Sequence, residues 1–148
     1  MDIVNASSFL QKAIEQQIDE GKSVTLCVTG KSMRPYLSGN GKENVIVIKH
    51  KPEEITPGVI ILFSYNNKYV FHRVIGKAGD LLIVQGDGNI KIEKVRCEDV
   101  LGIVRFVVRS GGKTVSTDSL AAGVYWRIWY ILRPFRRYLL FLYNRMSK

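Results

Sequence analysis

Acidic residues are absent from the last thirty positions of this 148-residue chain, although that stretch carries six of the chain's 22 Lys and Arg. Asp118 is the last acid. A net charge of +9 placed so unevenly implies that the C-terminus meets an anionic surface. Cysteine is nearly absent too. Cys27 and Cys97 stand far apart with no CxxC spacing, which removes thiol redox motifs and cysteine zinc sites. Cys27 falls in an apolar strand pattern and is expected to be a buried small hydrophobe. The two histidines, His50 and His72, lack metal-ligand spacing, so no metal and no cofactor is expected. No apolar run reaches the roughly 18 residues of a membrane span, and Met1 to Gly21 lacks the apolar region of a secretory signal.

What is present is a folding sequence. Hydrophobic residues make up 46%, too many for a disordered chain, and the length suits one domain with a real core. Asn5 to Ser8 opens a helix over Ala6 to Glu20, with Leu10, Ala13, Ile14 and Ile18 at helical spacing and Gly21 closing it. Strands are expected over 23–29, 43–49, 59–65, 68–75, 81–85, 100–110 and 113–115, with Asn66-Asn67 turning one hairpin. Six or seven short strands with regular turns describe a compact, strongly bent, mainly β domain. From Thr117 the character changes. Thr117-Asp118-Ser119 can cap a helix, and the remainder interleaves aromatics with arginines, with Pro134 kinking or splitting it. The expected organisation is a β domain with its N-terminal helix over 1–118 and a basic aromatic helical segment over 119–148.

Three polar residues stand out within the β pattern. Ser32 lies on a turn between Gly30 and Pro35, His72 on a strand, and Asp87 in Gly86-Asp87-Gly88-Asn89. A serine hydroxyl is a weak nucleophile unless a base sits beside it and a turn lifts it clear of its strand. Histidine, with an ordinary pKa near 6.5, suits the base. A carboxylate can hold the imidazole tautomer and stabilise imidazolium. Taken singly each has a plain structural reading: a turn serine, a satisfied strand histidine, a hairpin turn. Together, in this order, they are expected to form a catalytic set if they meet in space.

Here the chain resembles a known family. Gly30-Lys31-Ser32-Met33-Arg34-Pro35, Pro57-Gly58-Val59-Ile60-Ile61, Val70-Phe71-His72-Arg73-Val74-Ile75, Gln85-Gly86-Asp87-Gly88-Asn89 and Leu101-Gly102-Ile103-Val104 look like the ordered boxes of the type I signal peptidases and their S24/S26 relatives. The resemblance covers roughly residues 24 to 109. With His72 where other branches place lysine, the chain is similar to the Ser/His branch found in endoplasmic-reticulum, archaeal and sporulation-type enzymes. The resemblance implies Ser32 as nucleophile, His72 as general base and Asp87 as the acid that orients it. Glu93 stands where that branch uses a second Asp. Gly30, Met33 and Pro35 would line the substrate site. The oxyanion hole would rest on the Ser32 N–H and a second donor such as Thr29, because Gly30 replaces a hydroxyl residue. The implied substrate is an extended peptide paired along a strand edge, with small residues near the cut. The family's usual transmembrane helix before the serine box is replaced by the polar helix 6–20.

The expected function is therefore a serine endopeptidase acting on a signal- or leader-type peptide or protein precursor. The competing reading is a catalytically idle S24/S26-type binding or regulatory module. Self-cleavage is disfavoured, since no Ala-Gly or Cys-Gly site precedes Ser32. Residues 122 to 147 admit a core-packing helix, a nucleic-acid patch or an interfacial membrane helix. The tryptophans, tyrosines and arginines favour the last. Peripheral attachment to the cytoplasmic face of a membrane is expected, with no nucleic-acid partner.

Overall fold

The apolar run Ile60-Ile61-Leu62-Phe63 does not alternate with polar residues, and such a strand must be covered on both faces. A computed structural model, which describes residues 8–146, shows this arrangement. The chain is mainly β. Its strands are β1 (Val24–Thr29), β2 (Asn40–Ile48), β3 (Ile60–Tyr65), β4 (Lys68–Ala78), β5 (Leu81–Gln85), β6 (Glu93–Arg96), β7 (Val100–Val108) and β8 (Thr114–Ser116). All join one antiparallel sheet in the order β1-β2-β7-β3-β4-β5-β6, with β8 added to β7. Helix α1 (Ser8–Asp19) precedes the sheet, and α2 (Leu120–Ile131) and α3 (Arg136–Met146) follow it.

Two apolar clusters cover the opposite faces of the central strands. Ile60 and Leu62 of β3, with Tyr69 and Phe71 of β4, join one cluster together with Ile14 and Ile18 of α1. Ile61 and Phe63, with Val70 and Val74, join the other together with Leu82, Val84 and Val95. Adjacent residues of one strand thus enter different cores, as the two-residue period of a strand requires. Gly102 permits the close approach of layers beneath α1: a methyl there would fall 2.6 Å from the Val47 side chain and 3.5 Å from that of Ile18.

Several expectations from sequence match the architecture. Gly21 follows α1 with φ 84°, the left-handed conformation of a helix terminator. Asn66 and Asn67 both have positive φ, as a two-residue hairpin turn between right-twisted strands demands. Residues 5–7, the expected helix start, lie outside the described residues. Strand β6 was not expected; its polar sequence Glu-Lys-Val-Arg buries only Val95 and, among the described residues, pairs only with β5. Cys27 is exposed rather than buried. Val24, Leu26 and Val28 occupy the inward positions of β1, so Cys27 must point out, where its thiol donates to the Gly41 carbonyl at 3.2 Å.

The C-terminal segment is less separate than the division at residue 118 implies. Ser119 caps α2 by accepting from the Ala122 N–H at 3.1 Å, and a 3-10 turn over Arg133–Phe135, carrying Pro134, divides α2 from α3. The inner side of α2 is fastened to the sheet domain. Tyr125 stacks on Tyr36 at 5.1 Å between ring centres, and Trp126 fills the space beside Gly58, where a methyl would lie only 2.5 Å from the indole.

Helix α1 is held chiefly by Ile18, which is 1% exposed and packs onto the sheet. Ile18→Ala should cost about 2–5 kcal/mol of stability. Urea unfolding of the variant beside wild type measures it, with a lower midpoint and an unchanged slope expected.

Candidate active site

His72 and Arg73 are neighbours on β4, so their side chains leave the strand on opposite faces. That alternation assigns each its own carboxylate. His72 lies with Val70 and Val74 on the face that meets β6. There its Nδ1 approaches Glu93 Oε1 at 2.6 Å, and neither atom has any other partner. The approach departs from the line of an ideal N–H···O bond, yet the distance is that of a charge-assisted contact. Glu93 reaches this place because β6 sets it opposite Val84, and Val84 is opposite Val74. Phe63 closes one side of the imidazole, edge-on at 5.7 Å.

Arg73 faces the other way. Its Nε and Nη2 donate to the two oxygens of Asp87, each at 2.8 Å, and its Nη1 donates to the Gly58 carbonyl at 2.8 Å. The guanidinium also lies over the rings of Tyr36 and Tyr125, at 5.1 and 5.7 Å. Burial opposes the charge on Arg73, but the Asp87 carboxylate outweighs it and leaves the arginine pKa raised. The resemblance implied Asp87 beside His72; in the structure both Asp87 oxygens bond to Arg73, and the carboxylate at His72 Nδ1 is that of Glu93.

The Ser32 turn meets His72 through the loop after β5. A methyl on Gly86 would fall 2.3 Å from the Ser32 carbonyl oxygen, 2.9 Å from the Asn89 amide nitrogen and 3.1 Å from His72 Cδ2. Three groups of the site thus converge on one point that only glycine leaves open. Gly88 is held as tightly: a methyl there would lie 2.2 Å from the Lys31 carbonyl oxygen, and its N–H donates to the Ser32 carbonyl at 2.8 Å. These contacts explain the Gly-Asp-Gly-Asn sequence as two glycines that let the loops interlock. The base of the Ser32 turn is pinched where Gly30 (φ 94°) donates to the Gly39 carbonyl at 3.1 Å.

Ser32 itself is nearly covered, at 6% exposure, and its hydroxyl makes no hydrogen bond among the described residues. His72 Nε2 faces the Asn89 amide nitrogen at 3.5 Å. Burial of the imidazole pulls its pKa below 6.5, and the Glu93 carboxylate recovers part of that loss. With Nδ1 directed at a carboxylate, Nε2 is the nitrogen left to accept a proton.

Of the residues expected at the substrate site, Met33 lies in the core: it is 2% exposed and sits beside Val28 and Leu37. Its sulfur accepts the Asp87 N–H at 3.4 Å, so it supports the loop and does not face a substrate. Pro35, half-buried, follows a cis peptide bond after Arg34. Sequence reasoning missed the contribution of α2 and α3. Trp129 Nε1 donates to the Asp87 carbonyl at 2.9 Å, and the buried Arg136 donates to the Asn89 carbonyl at 3.3 Å. The aromatic and arginine-rich composition gave no sign of which of these residues turn inward.

No family model, no curated protein and no solved structure matches the chain.

The two carboxylates are expected to fail differently. Asp87→Asn leaves Arg73 buried without its charge partner, a loss of about 3–5 kcal/mol that thermal or urea unfolding detects. Glu93→Gln, at a site one-quarter exposed, should leave the unfolding midpoint nearly unchanged. Gly86→Ala should lower stability as well, because the added methyl meets backbone that cannot step aside.

Proposed function

We propose that the protein is a serine endopeptidase in which Ser32, His72 and Glu93 form the catalytic set. The observation that carries this reading is the 2.6 Å contact between His72 Nδ1 and Glu93, with the Ser32 turn packed on the same imidazole through Gly86. A buried, neutral histidine whose one nitrogen meets a carboxylate is the arrangement a serine needs for activation.

The chemistry follows from those positions. Ser32 Oγ gives its proton to His72 Nε2 as it attacks the carbonyl carbon of the scissile peptide bond. Glu93 stabilises the imidazolium that results. Collapse of the tetrahedral intermediate breaks the C–N bond, and His72 returns the proton to the leaving amine. Water then gives a proton to the same nitrogen as its oxygen bonds to the acyl carbon; collapse breaks the bond from that carbon to Ser32 Oγ, releases the new carboxyl end, and His72 returns the proton to Ser32 Oγ. The Ser32 backbone N–H has no acceptor among the described residues and is available to the oxyanion. Asp87 and Arg73 act as positioning residues for the loop that presses the turn against the base. Among the described residues strand β1 pairs only with β2, and it leads directly into the Ser32 turn; an extended peptide lying along a strand edge is the substrate shape the resemblance implies. The resemblance to the Ser/His signal peptidases supports a precursor of the signal or leader type as substrate.

One observation favours a second reading, an idle binding module. The Ser32 hydroxyl makes no hydrogen bond to His72, and the Asn89 amide stands at Nε2 instead. A serine-directed fluorophosphonate separates the two readings. Covalent labelling that is abolished by both Ser32→Ala and His72→Ala supports the peptidase. An unlabelled Ser32 in folded protein supports the module.

The pH dependence has a definite sign. His72 must be neutral to accept the serine proton, and its folded-state pKa lies below 6.5. Labelling or cleavage should hold steady from pH 8 down to about 6.5 and decline only below that. Glu93→Gln removes the group that raises the His72 pKa, so the acidic limb should move lower still. The plateau rate should drop about 10²–10⁴-fold as tautomer control is lost. An acidic limb that rises above pH 7 in the variant would contradict the assignment.

A further inference from the structure

The helices that fasten the Asp87–Asn89 loop have a second, outward side. On α2, Leu120, Val124, Ile128 and Ile131 follow one another at four, four and three residues, the spacing of a single helix face, and are 82%, 46%, 53% and 72% exposed. Phe135 in the connecting turn and Tyr138, Phe141 and Leu142 on α3 are each more than half exposed. Arg127 lies on the α2 stripe itself, three residues after Val124 and four before Ile131, and is exposed. Arg137 and Arg145 are exposed on α3, beside its apolar residues, whereas Arg136 is turned inward and serves the site loop. No acid follows Asp118.

We infer that this outward side of α2 and α3 is a docking surface for an anionic lipid membrane. An unpartnered row of large apolar side chains lowers its free energy by leaving water, and the nearby arginines select what it enters. Arginine stems can lie along the acyl region while their heads reach phosphate. A protein partner would need acids matched to each arginine; an anionic leaflet supplies negative charge everywhere. The helices lie on the membrane and do not cross it. Among the described residues no helix is long and apolar enough to span, and the 12 residues of α2 extend about 18 Å against a hydrocarbon core of about 30 Å. The inward side of the same helices touches Asp87 and Asn89, so docking would hold the Ser32–His72 site close to the bilayer. The inference stands on the exposed face and its charge, not on the peptidase reading.

The test uses the full chain, as wild type and as Ser32→Ala, with vesicles of phosphatidylcholine alone or mixed with phosphatidylglycerol. Cosedimentation and fluorescence of Trp126 and Trp129 report binding. Each arginine near an anionic surface should strengthen binding about fivefold. Mixed vesicles are therefore expected to bind at least tenfold more tightly than neutral ones, with binding weakened by salt. The triple variant L120S/I128S/I131S should lose at least tenfold, with an unchanged melting temperature and unchanged fluorophosphonate labelling. R127Q/R137Q/R145Q should remove the preference for phosphatidylglycerol. Equal binding to both vesicles, or binding that survives the triple substitution, overturns the inference. So does a concentration-dependent dimer that the triple variant dissolves without any vesicle binding, or salt-sensitive binding of nucleic acid in place of vesicles. Because Ser32→Ala protein should bind as wild type does, loss of peptidase activity and loss of docking are separate outcomes.

Discussion

The buried ion pair between Arg73 and Asp87 is the constraint on which the site depends. Its two parallel hydrogen bonds span β4 and the loop after β5, and each partner is tied further. Arg73 reaches the Gly58 carbonyl and lies over the paired rings of Tyr36 and Tyr125; the Asp87 backbone engages the Met33 sulfur and the Trp129 indole. A charge in such a place is costly to bury unless every donor and acceptor is met. Here they are met by four separate stretches of chain. The Ser32 turn, the β3 entry, the loop after β5 and helix α2 are thereby fixed to one another.

The catalytic proposal draws on that rigidity without using the pair chemically. His72 leaves the other face of the same strand and meets Glu93 of β6 there, in an apolar setting that lowers the imidazole pKa. Rigid support on one face and proton chemistry on the other is what adjacent residues of a doubly covered strand make possible. The glycines of the loop after β5 complete the arrangement, since the Ser32 turn is pressed against backbone and not against adaptable side chains.

Much of this was legible in the sequence, and the exceptions have physical causes. The strands over 60–65, 68–78 and 81–85 follow from apolar runs and turn residues, and the hairpin at Asn66-Asn67 from its tolerance of positive φ. Strand β6 escaped notice because an edge strand with one buried side chain has almost no apolar signal. Ser32, His72, Asp87 and Glu93 could be named as a set, but not paired. Pairing needs the parity of β4 and the register of β6 opposite Val84, and neither is visible in spacing alone. Met33 in the core, Cys27 on the surface and Arg136 turned inward are likewise matters of which side a residue faces. In the C-terminal helices, where apolar and basic residues occur all round, composition could not say which side that is.

The adjacency of His72 and Arg73 also bears on how the sheet assembles. A slip of one residue in β4 would exchange the two faces, carrying the guanidinium into the apolar cluster around Val84 and the imidazole among the tyrosines. Neither carboxylate would then meet its own partner. Hydrophobic runs such as Val70-Phe71 and Val74-Ile75 are apolar at both parities and discriminate poorly between registers. The Arg73–Asp87 ion pair and the His72–Glu93 contact discriminate sharply. They act as a lock on strand alignment, so that the sheet can close in full only in the register that also assembles the site.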